Sequence, residues 1–365
     1  MESKIRESNA ELLRIICILL ILLHHFCAHA LYPEIFSANI SDRTWDSSLL
    51  LFLHAFLYIG VDCFILISGW FGIKPKWRSF FNLYLIYSFY NLLHPIKRII
   101  ASFMRGEGFV LPYSVGDIIE RTLLPFSHGD LWFMDCYLAL FLMAPLLNMA
   151  IEHLDKKQFA YILGALTLLN VYFAYYWKMY LINTMGFSVS QFVYLYCIGA
   201  FLHKHVGATM VDEKRWKWFG GYLLFGVLWG CISLWSVSSI PPPPAIHWES
   251  MAYNNPLLLL TAICFFLFMM SWRFKNRFVN WLAASTLGVY MLNEMVIRYS
   301  FLEPYAHRYS PIIQLVLWFG VSMAFYVFAI LIDKFRVLVQ RPIWLLESNR
   351  YVVQICSYCK KILSK

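Results

Sequence analysis

The sequence predicts an all-α integral membrane protein, a bundle of about ten transmembrane helices with both termini in the cytoplasm. Three observations support this prediction. First, 60% of the 365 residues are hydrophobic and only 14% are charged, which leaves too little polar surface for a soluble domain. Second, apolar stretches of about 20 residues, the length that crosses a bilayer, recur along most of the chain. Third, Lys and Arg are concentrated in alternate connections between these stretches.

The apolar stretches define the candidate spans. In chain order they cover residues 11–30, 49–72, 79–99, 131–151, 158–178, 187–206, 217–238, 253–272, 281–300 and 311–333. The connections after the third and the seventh span are the least regular, because apolar stretches near residues 109–126 can dip back into the membrane. The spans form one domain over residues 1–333, and residues 334–365 form a basic cytoplasmic tail whose mixture of apolar and basic residues suits the membrane surface.

The distribution of positive charge predicts the orientation. With the N-terminus inside, 21 Lys and Arg residues lie in the inner connections and the tail, eight lie on the outer side, and Arg14 lies within the first span. Because positive residues favour the cytoplasmic side, both termini are placed there. The formal net charge of +9 is then largely a consequence of topology and does not indicate nucleic-acid binding.

The first span carries ionisable residues along one stripe. Arg14 and His25 are eleven residues apart, which is about 16 Å along a helix and within roughly 20° of the same face. Glu11 lies three residues before Arg14 and can pair with it. Ionisable groups inside a span are functional candidates. The alternative is that Arg14 reaches the inner headgroups and His25 hydrogen-bonds a neighbouring helix.

Four segments carry motifs in a fixed order. They are the Arg-x10-His of Arg14 to His25, the apolar run 60–71 containing Ser68-Gly69 before a basic inner loop, the Trp-Phe helix start 131–134 with Pro145-Leu146 after it, and the segment 287–292. Together they resemble the acyltransferase family 3 membrane proteins over most of residues 9–333. One departure is that many members follow the last motif with His, whereas this chain has Asn293-Glu294. Asn cannot act as a general base.

The resemblance implies a function. Such proteins transfer an acyl group, most often acetyl, from a cytoplasmic acyl-CoA to a hydroxyl on a glycan or another acceptor. We therefore expect an O-acetyltransferase-type enzyme of the bacterial cytoplasmic membrane that modifies a cell-surface glycan or lipid-linked sugar. Its expected partners are membrane lipid, acyl-CoA and the acceptor, with acyl-CoA as donor substrate and no permanently bound cofactor.

Site residues follow from these expectations. The positive inner face would hold the CoA phosphates, because Arg and Lys pair well with phosphate; its residues are Arg14, Lys74, Lys76 and Arg78, with Ser68 grouped with them. His25 is the expected catalytic base, since an imidazole can take the proton of an attacking hydroxyl. A covalent acyl-imidazole remains an alternative. His24 is the alternative histidine if the helix is locally distorted.

Glu294 lies at about the depth of His25 by helix rise and is expected to pair with it as the second catalytic residue. On the acceptor side, aromatic faces and carboxylates suit a sugar. The residues assigned to the acceptor are Asp62, His128, Asp130, Trp132 and Asn293. His128, Asp130 and Trp132 could equally belong to an interfacial belt.

Alternative functions remain open at this level. An exporter of polysaccharide or lipid-linked sugar would also need about ten spans and intramembrane charges, and a receptor or assembly scaffold would need neither His25 nor an acyl donor. No metal is expected, because the His, Asp and Glu residues lack a tight ligand spacing. The sequence does not determine the oligomeric state, and a homo-oligomer is one option.

Overall fold

A computed structural model describes residues 7–26, 45–104, 106–109, 111, 113–124, 131–238, 252–296, 309 and 311–347. Within these ranges every regular element is helical. In chain order the helices are α1 Ser8–Phe26, α2 Trp45–Leu57, α3 Gly60–Phe71, α4 Trp77–Met104, α5 Val115–Leu123, α6 Trp132–His153, α7 Lys156–Thr167, α8 Val189–Phe201, α9 Gly207–Glu213, α10 Arg215–Ser238, α11 Pro256–Met270, α12 Arg277–Ala283, α13 Thr286–Val296 and α14 Pro311–Glu347. Helix α7 continues as a π-helix over Leu168–Tyr176, and α8 continues as one over Leu202–Val206.

Six helical stretches in the described ranges are long and apolar enough to cross a membrane. They are Ser8–Phe26, Leu51–Phe71, Trp132–His153, Lys156–Tyr176, Arg215–Trp235 and Ile313–Ile343. The other four predicted spans fall on α4, α8, α11 and α13, which are shorter or less apolar. The all-helical, multi-pass architecture is confirmed, whereas the number of ten spans and the side of the termini stay predictions.

Helix α5 lies in the connection where the sequence predicts a return toward the membrane. The Tyr84 hydroxyl donates to the carbonyl of Leu123 at 2.7 Å, and Arg98 donates to the Tyr113 hydroxyl at 2.9 Å. Tyr84 and Arg98 are fourteen residues apart on α4, about 21 Å along the helix. Helix α5 therefore runs back along α4, antiparallel to it.

Small residues allow the central helices to approach closely. A Cβ atom on Gly69 of α3 would collide with the backbone oxygen of Tyr196 on α8, and one on Gly199 would collide with that of Leu66. Such contacts between small residues let membrane helices pack backbone against backbone. Ser68 precedes Gly69 on α3, and its hydroxyl contacts the Tyr137 hydroxyl of α6 at 3.4 Å. Helix α1 packs between α3 and α11 to α14.

The last helix continues through the predicted domain boundary between residues 333 and 334. Asp333 and Arg336 are both buried and form an ion pair of 2.8 Å, and Gln340 accepts from Arg336 at 2.8 Å. The Tyr90 hydroxyl of α4 donates to Asp333 at 3.2 Å. Because these side chains pack against α4, the first turns after residue 333 belong to the bundle.

Candidate functional site

The start of α1 is fixed to the turn that follows α11. The Ser8 amide donates to the carbonyl of Phe274 at 2.9 Å, and the buried Asn9 side chain donates to that of Met270 at 3.1 Å. One turn further on, Arg14 pairs with Glu11 at 2.7 Å, as their spacing predicts. These contacts set the position of the Arg14 guanidinium.

Arg14 lies in the wall of a large cavity between α1, α3, α4 and α6. The cavity has a volume of about 710 Å³, within the usual range for ligand sites. Four of the five residues expected to bind acyl-CoA line it: Arg14, Ser68, Lys74 and Arg78. Lys76 lies in the same turn but is not among the lining residues. Three positive side chains thus face one cavity, which suits an anionic ligand.

A narrower, more apolar cavity of about 140 Å³ continues from the large one. The two share Arg14, Ser68, Leu83 and Tyr137. The narrow cavity is otherwise lined by Phe64, Phe133, Thr286, Leu287 and Tyr290. It therefore leads from the positively charged space to Tyr290 on α13.

His25 lies beside α13, in contact with the residue that departs from the family motif. Both His25 and Asn293 are buried, and the Asn293 side-chain amide lies 2.5 Å from His25 Nδ1. In the orientation shown, the amide nitrogen donates to Nδ1, so a neutral imidazole carries its proton on Nε2. A half-turn of the amide would present its oxygen instead, hold the proton on Nδ1 and leave Nε2 as the basic nitrogen.

The residue of α13 that is hydrogen-bonded to His25 is thus Asn293, whereas the sequence led us to expect Glu294. The depth estimate from helix rise places residues 293 and 294 at the level of His25, and the contact with Asn293 agrees with it. Adjacent residues on a helix point about 100° apart, so when Asn293 faces α1, Glu294 faces another direction. Its carboxylate lies with Tyr290, one turn back, at a cavity that Asn91 and Leu131 also line.

His24 faces a different neighbour from His25. Its Nδ1 lies 2.6 Å from Nε2 of His54 on α2, and both rings are buried. Tyr58 packs edge-on against His24 and stacks on Tyr253 at 4.2 Å between ring centroids. The two adjacent histidines of α1 thus belong to two separate polar contacts.

Asp62 is fully buried near this second contact. Neither carboxylate oxygen accepts a hydrogen bond of normal geometry among the residues that the structure describes. The Gln191 side-chain amide lies beside it but donates to the carbonyl of Tyr253 at 3.0 Å. A buried carboxylate with so little hydrogen bonding is costly, which marks this position as a candidate polar site.

Of the other residues expected at the acceptor, Trp132 packs into an aromatic cluster. Its ring centroid lies 4.6 Å from that of Phe187 and 5.8 Å from that of Tyr253. This half-buried packing accounts for the Trp structurally. His128 and Asp130 lie outside the described residues.

Several polar residues of these cavities were not found from the sequence. Tyr137, Asn82 and Ser79 line the large cavity, and His94 and Arg121 line the one beside Glu294. Of these, only Arg121 gave a signal, as a positive residue on the predicted outer side, where such residues are scarce. Within the described ranges, no group of three His, Cys, Asp or Glu residues has the geometry to hold a metal ion.

Comparison with known proteins gives the family. A family model described as an acyltransferase domain, Acyl_transf_3, matches residues 8–334. No curated protein and no solved structure matches the chain. The matched region begins at the first residue of α1 and ends beside the buried ion pair of α14, so it includes all the cavities described above. The chain therefore belongs to the acyltransferase family 3.

Proposed function

We propose that this protein transfers an acetyl or other short acyl group from cytoplasmic acyl-CoA to a hydroxyl of a cell-surface glycan or lipid-linked sugar. We place it in a bacterial cytoplasmic membrane, with an O-acetyltransferase type of reaction. The observation that carries the proposal is the cavity of about 710 Å³ lined by Arg14, Lys74 and Arg78, with its narrow continuation to Tyr290.

The two cavities suit the two parts of an acyl-CoA. Its phosphates would bind in the wide, positively charged space, where guanidinium and ammonium groups form charge-assisted hydrogen bonds. The pantetheine arm is largely uncharged and would extend into the narrow cavity, past Ser68 and Tyr137. The thioester would then lie near Tyr290, one turn of α13 from the His25–Asn293 contact.

His25 is the proposed base. The acceptor oxygen attacks the thioester carbonyl carbon while its proton passes to the imidazole. The carbon–sulfur bond then breaks, and the imidazolium returns the proton to the leaving thiolate, which gives free CoA and the acylated acceptor. If His25 instead attacks the carbonyl itself, the carbon–sulfur bond breaks, the CoA thiolate leaves and an acyl-imidazole forms. The acceptor hydroxyl then takes the acyl group, which frees the imidazole, and its proton passes to the thiolate.

Glu294 and the remaining assigned residues support this reaction. Glu294, beside Tyr290, would orient or accept a hydrogen bond from the acceptor hydroxyl. Asn293 would fix the orientation of the His25 ring, which is a positioning role. It also remains a proposed contact with the acceptor. Asp62, His128, Asp130 and Trp132 remain proposed acceptor contacts.

Acyl transfer in inverted membrane vesicles tests the proposal. Radiolabelled acetyl-CoA is supplied to wild type, to His25→Ala and to His153→Ala, a matched control on an exposed histidine at the end of α6. We expect label in a lipid or glycan fraction with wild type and His153→Ala, and a loss of at least a hundredfold with His25→Ala.

Two results would contradict the proposal. Equal labelling by His25→Ala at matched expression would remove His25 as base. No labelling with any variant, across several acyl-CoAs and glycan acceptors, would favour export of a polysaccharide or lipid-linked sugar without acyl transfer.

A further inference from the structure

A third cavity lies where α4, α5 and α13 meet. Its volume is about 120 Å³, enough for several water molecules or a small polar group. Its polar lining residues are Asn91, His94, Tyr113, Arg121 and Glu294, and its apolar ones are Pro95, Ile118 and Leu131. Glu294 lies one helical turn from Tyr290, so this cavity lies next to the end of the proposed pantetheine path.

Two arginines contact the ring of Tyr113 at the edge of this cavity. The Arg121 guanidinium lies 4.6 Å from the centroid of Tyr113, and that of Arg98 lies 5.5 Å from it. The exposed Arg98 also donates to the Tyr113 hydroxyl at 2.9 Å, and His94 stacks on the same ring. The Tyr113 ring therefore brings together Arg121, which lines the cavity, and Arg98, which lies just outside its lining.

This positive cluster is on the side where topology disfavours it. In the predicted orientation the end of α4 is the outer end, and positive residues are scarce there. A cluster that topology does not explain points to a ligand of opposite charge. Phosphate is the group that paired arginines bind best, through two parallel hydrogen bonds.

Asn91 gives a second, independent sign of a ligand. Its side chain is 8% exposed and lines the cavity, and its amide nitrogen has no hydrogen-bond partner among the described residues. Buried amide groups are normally satisfied, because a donor without an acceptor is costly. An oxygen atom of a ligand in the cavity would satisfy it.

The surroundings indicate the direction from which the ligand enters. Around the cluster, Ile100 and Phe103 of α4 and Val115 and Ile119 of α5 are each more than half exposed. In a membrane protein such side chains face lipid tails. The positive edge of the cavity therefore borders the membrane, so a ligand with a hydrocarbon chain can reach it laterally.

We propose that this cavity binds the phosphate end of a lipid-linked sugar, which is the acceptor of the acyl group and enters from the outer leaflet. The inference rests on the proposed function and names the acceptor class. The phosphate contacts Arg98 and Arg121 at the membrane edge. A hydroxyl of the sugar then reaches past Asn91 to Glu294, beside Tyr290 at the end of the proposed pantetheine path.

Binding without any acyl donor tests this site. The full-length protein in lipid nanodiscs is titrated with radiolabelled farnesyl-diphosphoryl-N-acetylglucosamine, and the neutral farnesyl glucoside serves as the uncharged comparison. We expect Arg98→Gln/Arg121→Gln to weaken binding of the charged probe at least tenfold. Arg121→Lys keeps the charge but loses the paired hydrogen bonds, so it should weaken binding less than Arg121→Gln does. Lys157→Gln removes one charge on the exposed surface of α7 and should change nothing.

Three results would overturn the inference. They are equal binding by the double variant, wild-type binding of the neutral probe as tight as that of the charged one, and competition by glucose 1-phosphate as strong as by the farnesyl-linked probe. The last would mean a water-soluble sugar phosphate. If the double variant unfolds, Arg98→Gln alone decides, because Arg98 is exposed and a threefold or greater loss is expected.

The two proposals fail separately. Probe binding that depends on Arg98 and Arg121, without transfer from any acyl-CoA, would contradict the acyltransferase proposal and leave the binding site. Transfer that depends on His25 but proceeds equally to sugars without phosphate would contradict only the site.

Discussion

At the scale of single residues, the contact between His25 and Asn293 determines which imidazole nitrogen is available. The amide has one donor end and one acceptor end, so it can satisfy Nδ1 in either protonation state. A histidine at position 293, as in many family members, can likewise donate or accept. The departure at Asn293 therefore replaces a titratable partner with a neutral one while keeping the hydrogen bond to His25.

Replacing Asn293 tests this positioning role. Leu is close in size to Asn but has neither the donor nor the acceptor of the side-chain amide. We therefore expect Asn293→Leu to lower kcat about tenfold or more, with little change in KM for acyl-CoA. Asn293→His should retain most of the activity, because it restores a hydrogen-bonding partner. Steady-state kinetics at several pH values measure both variants. An Asn293→Leu protein with wild-type kcat would show that the contact does not position His25.

Positive residues around the large cavity give a second residue-scale prediction. Lys74→Gln and Arg78→Gln should each raise KM for acyl-CoA by about tenfold with little change in kcat, since each removes a charge-assisted contact made equally in ground and transition states. Lys76→Gln removes the same charge from the same turn but from outside the cavity lining, so a smaller rise is expected. Equal effects of all three would mean that only the net charge of the turn matters.

At the scale of elements, α13 is the helix that brings the site together. It supplies Tyr290 to the narrow cavity, Asn293 to His25 and Glu294 to the cavity beside α5. The buried Asp333–Arg336 pair of α14 packs against it at Gly288, where an added Cβ would collide with Asp333 and meet the Tyr90 hydroxyl. The close approach at this glycine sets the distance between α13 and the α4–α14 pair.

A matched pair of glycine substitutions tests the close approach of α13 to Asp333. Gly288→Ala should destabilise the protein by about 1–3 kcal/mol and lower activity, because the new methyl group forces α13 away from Asp333. Gly320→Ala in α14 should be neutral or slightly stabilising, because nothing lies within 4 Å of its added Cβ and Ala favours helix. Thermal unfolding in detergent and acyl transfer are measured for both. Equal stability of the two variants would contradict the role of Gly288.

At the scale of the whole molecule, the two faces of the bundle have different tasks in the proposed reaction. The large cavity opens beside the basic turn 72–76 that follows α3. The third cavity, beside Glu294, is lined by Asn91 of α4, which lies about 20 Å along that helix from Arg78 at the large cavity. A donor on one side and an acceptor on the other would therefore meet within the bundle. This arrangement requires the predicted orientation.

Cysteine accessibility tests that orientation. In a variant without native cysteines, Lys157→Cys should react with a membrane-impermeant maleimide only in inverted vesicles, because the first turn of α7 is predicted to lie in the cytoplasm. Leu181→Cys, which is 98% exposed beyond the other end of the same helical stretch, should react only in right-side-out vesicles. Labelling of both positions from one side would reject the predicted topology.

Much of this arrangement was predictable from the sequence. Helix periodicity alone aligns Arg14 with Glu11 and places His25 about 16 Å above them, and the Arg14–Glu11 pair has the expected spacing. The four motifs led to the family, because they keep their order along the chain. Lys74 and Arg78, which are close together in sequence, also line one cavity, and their role in binding acyl-CoA stays a prediction.

The partners that join distant helices were not predictable. Periodicity gives the depth of residues 293 and 294, but which of the two faces α1 depends on how α13 is rotated, and that is set by Gly288 against Asp333, 45 residues away in sequence. Likewise, the cavity beside Glu294 exists only because α5 folds back along α4.

The sequence by itself thus determined the class of protein, the approximate spans, the family and the residues along each helix face. These are local properties, since hydropathy and helical spacing act over about 20 residues. Only the tertiary structure decided that Asn293 contacts His25, that Lys76 lies outside the cavity lining and that Arg98 and Arg121 meet at Tyr113. Contacts of this kind depend on how whole helices pack, which the spacing within a single helix does not determine.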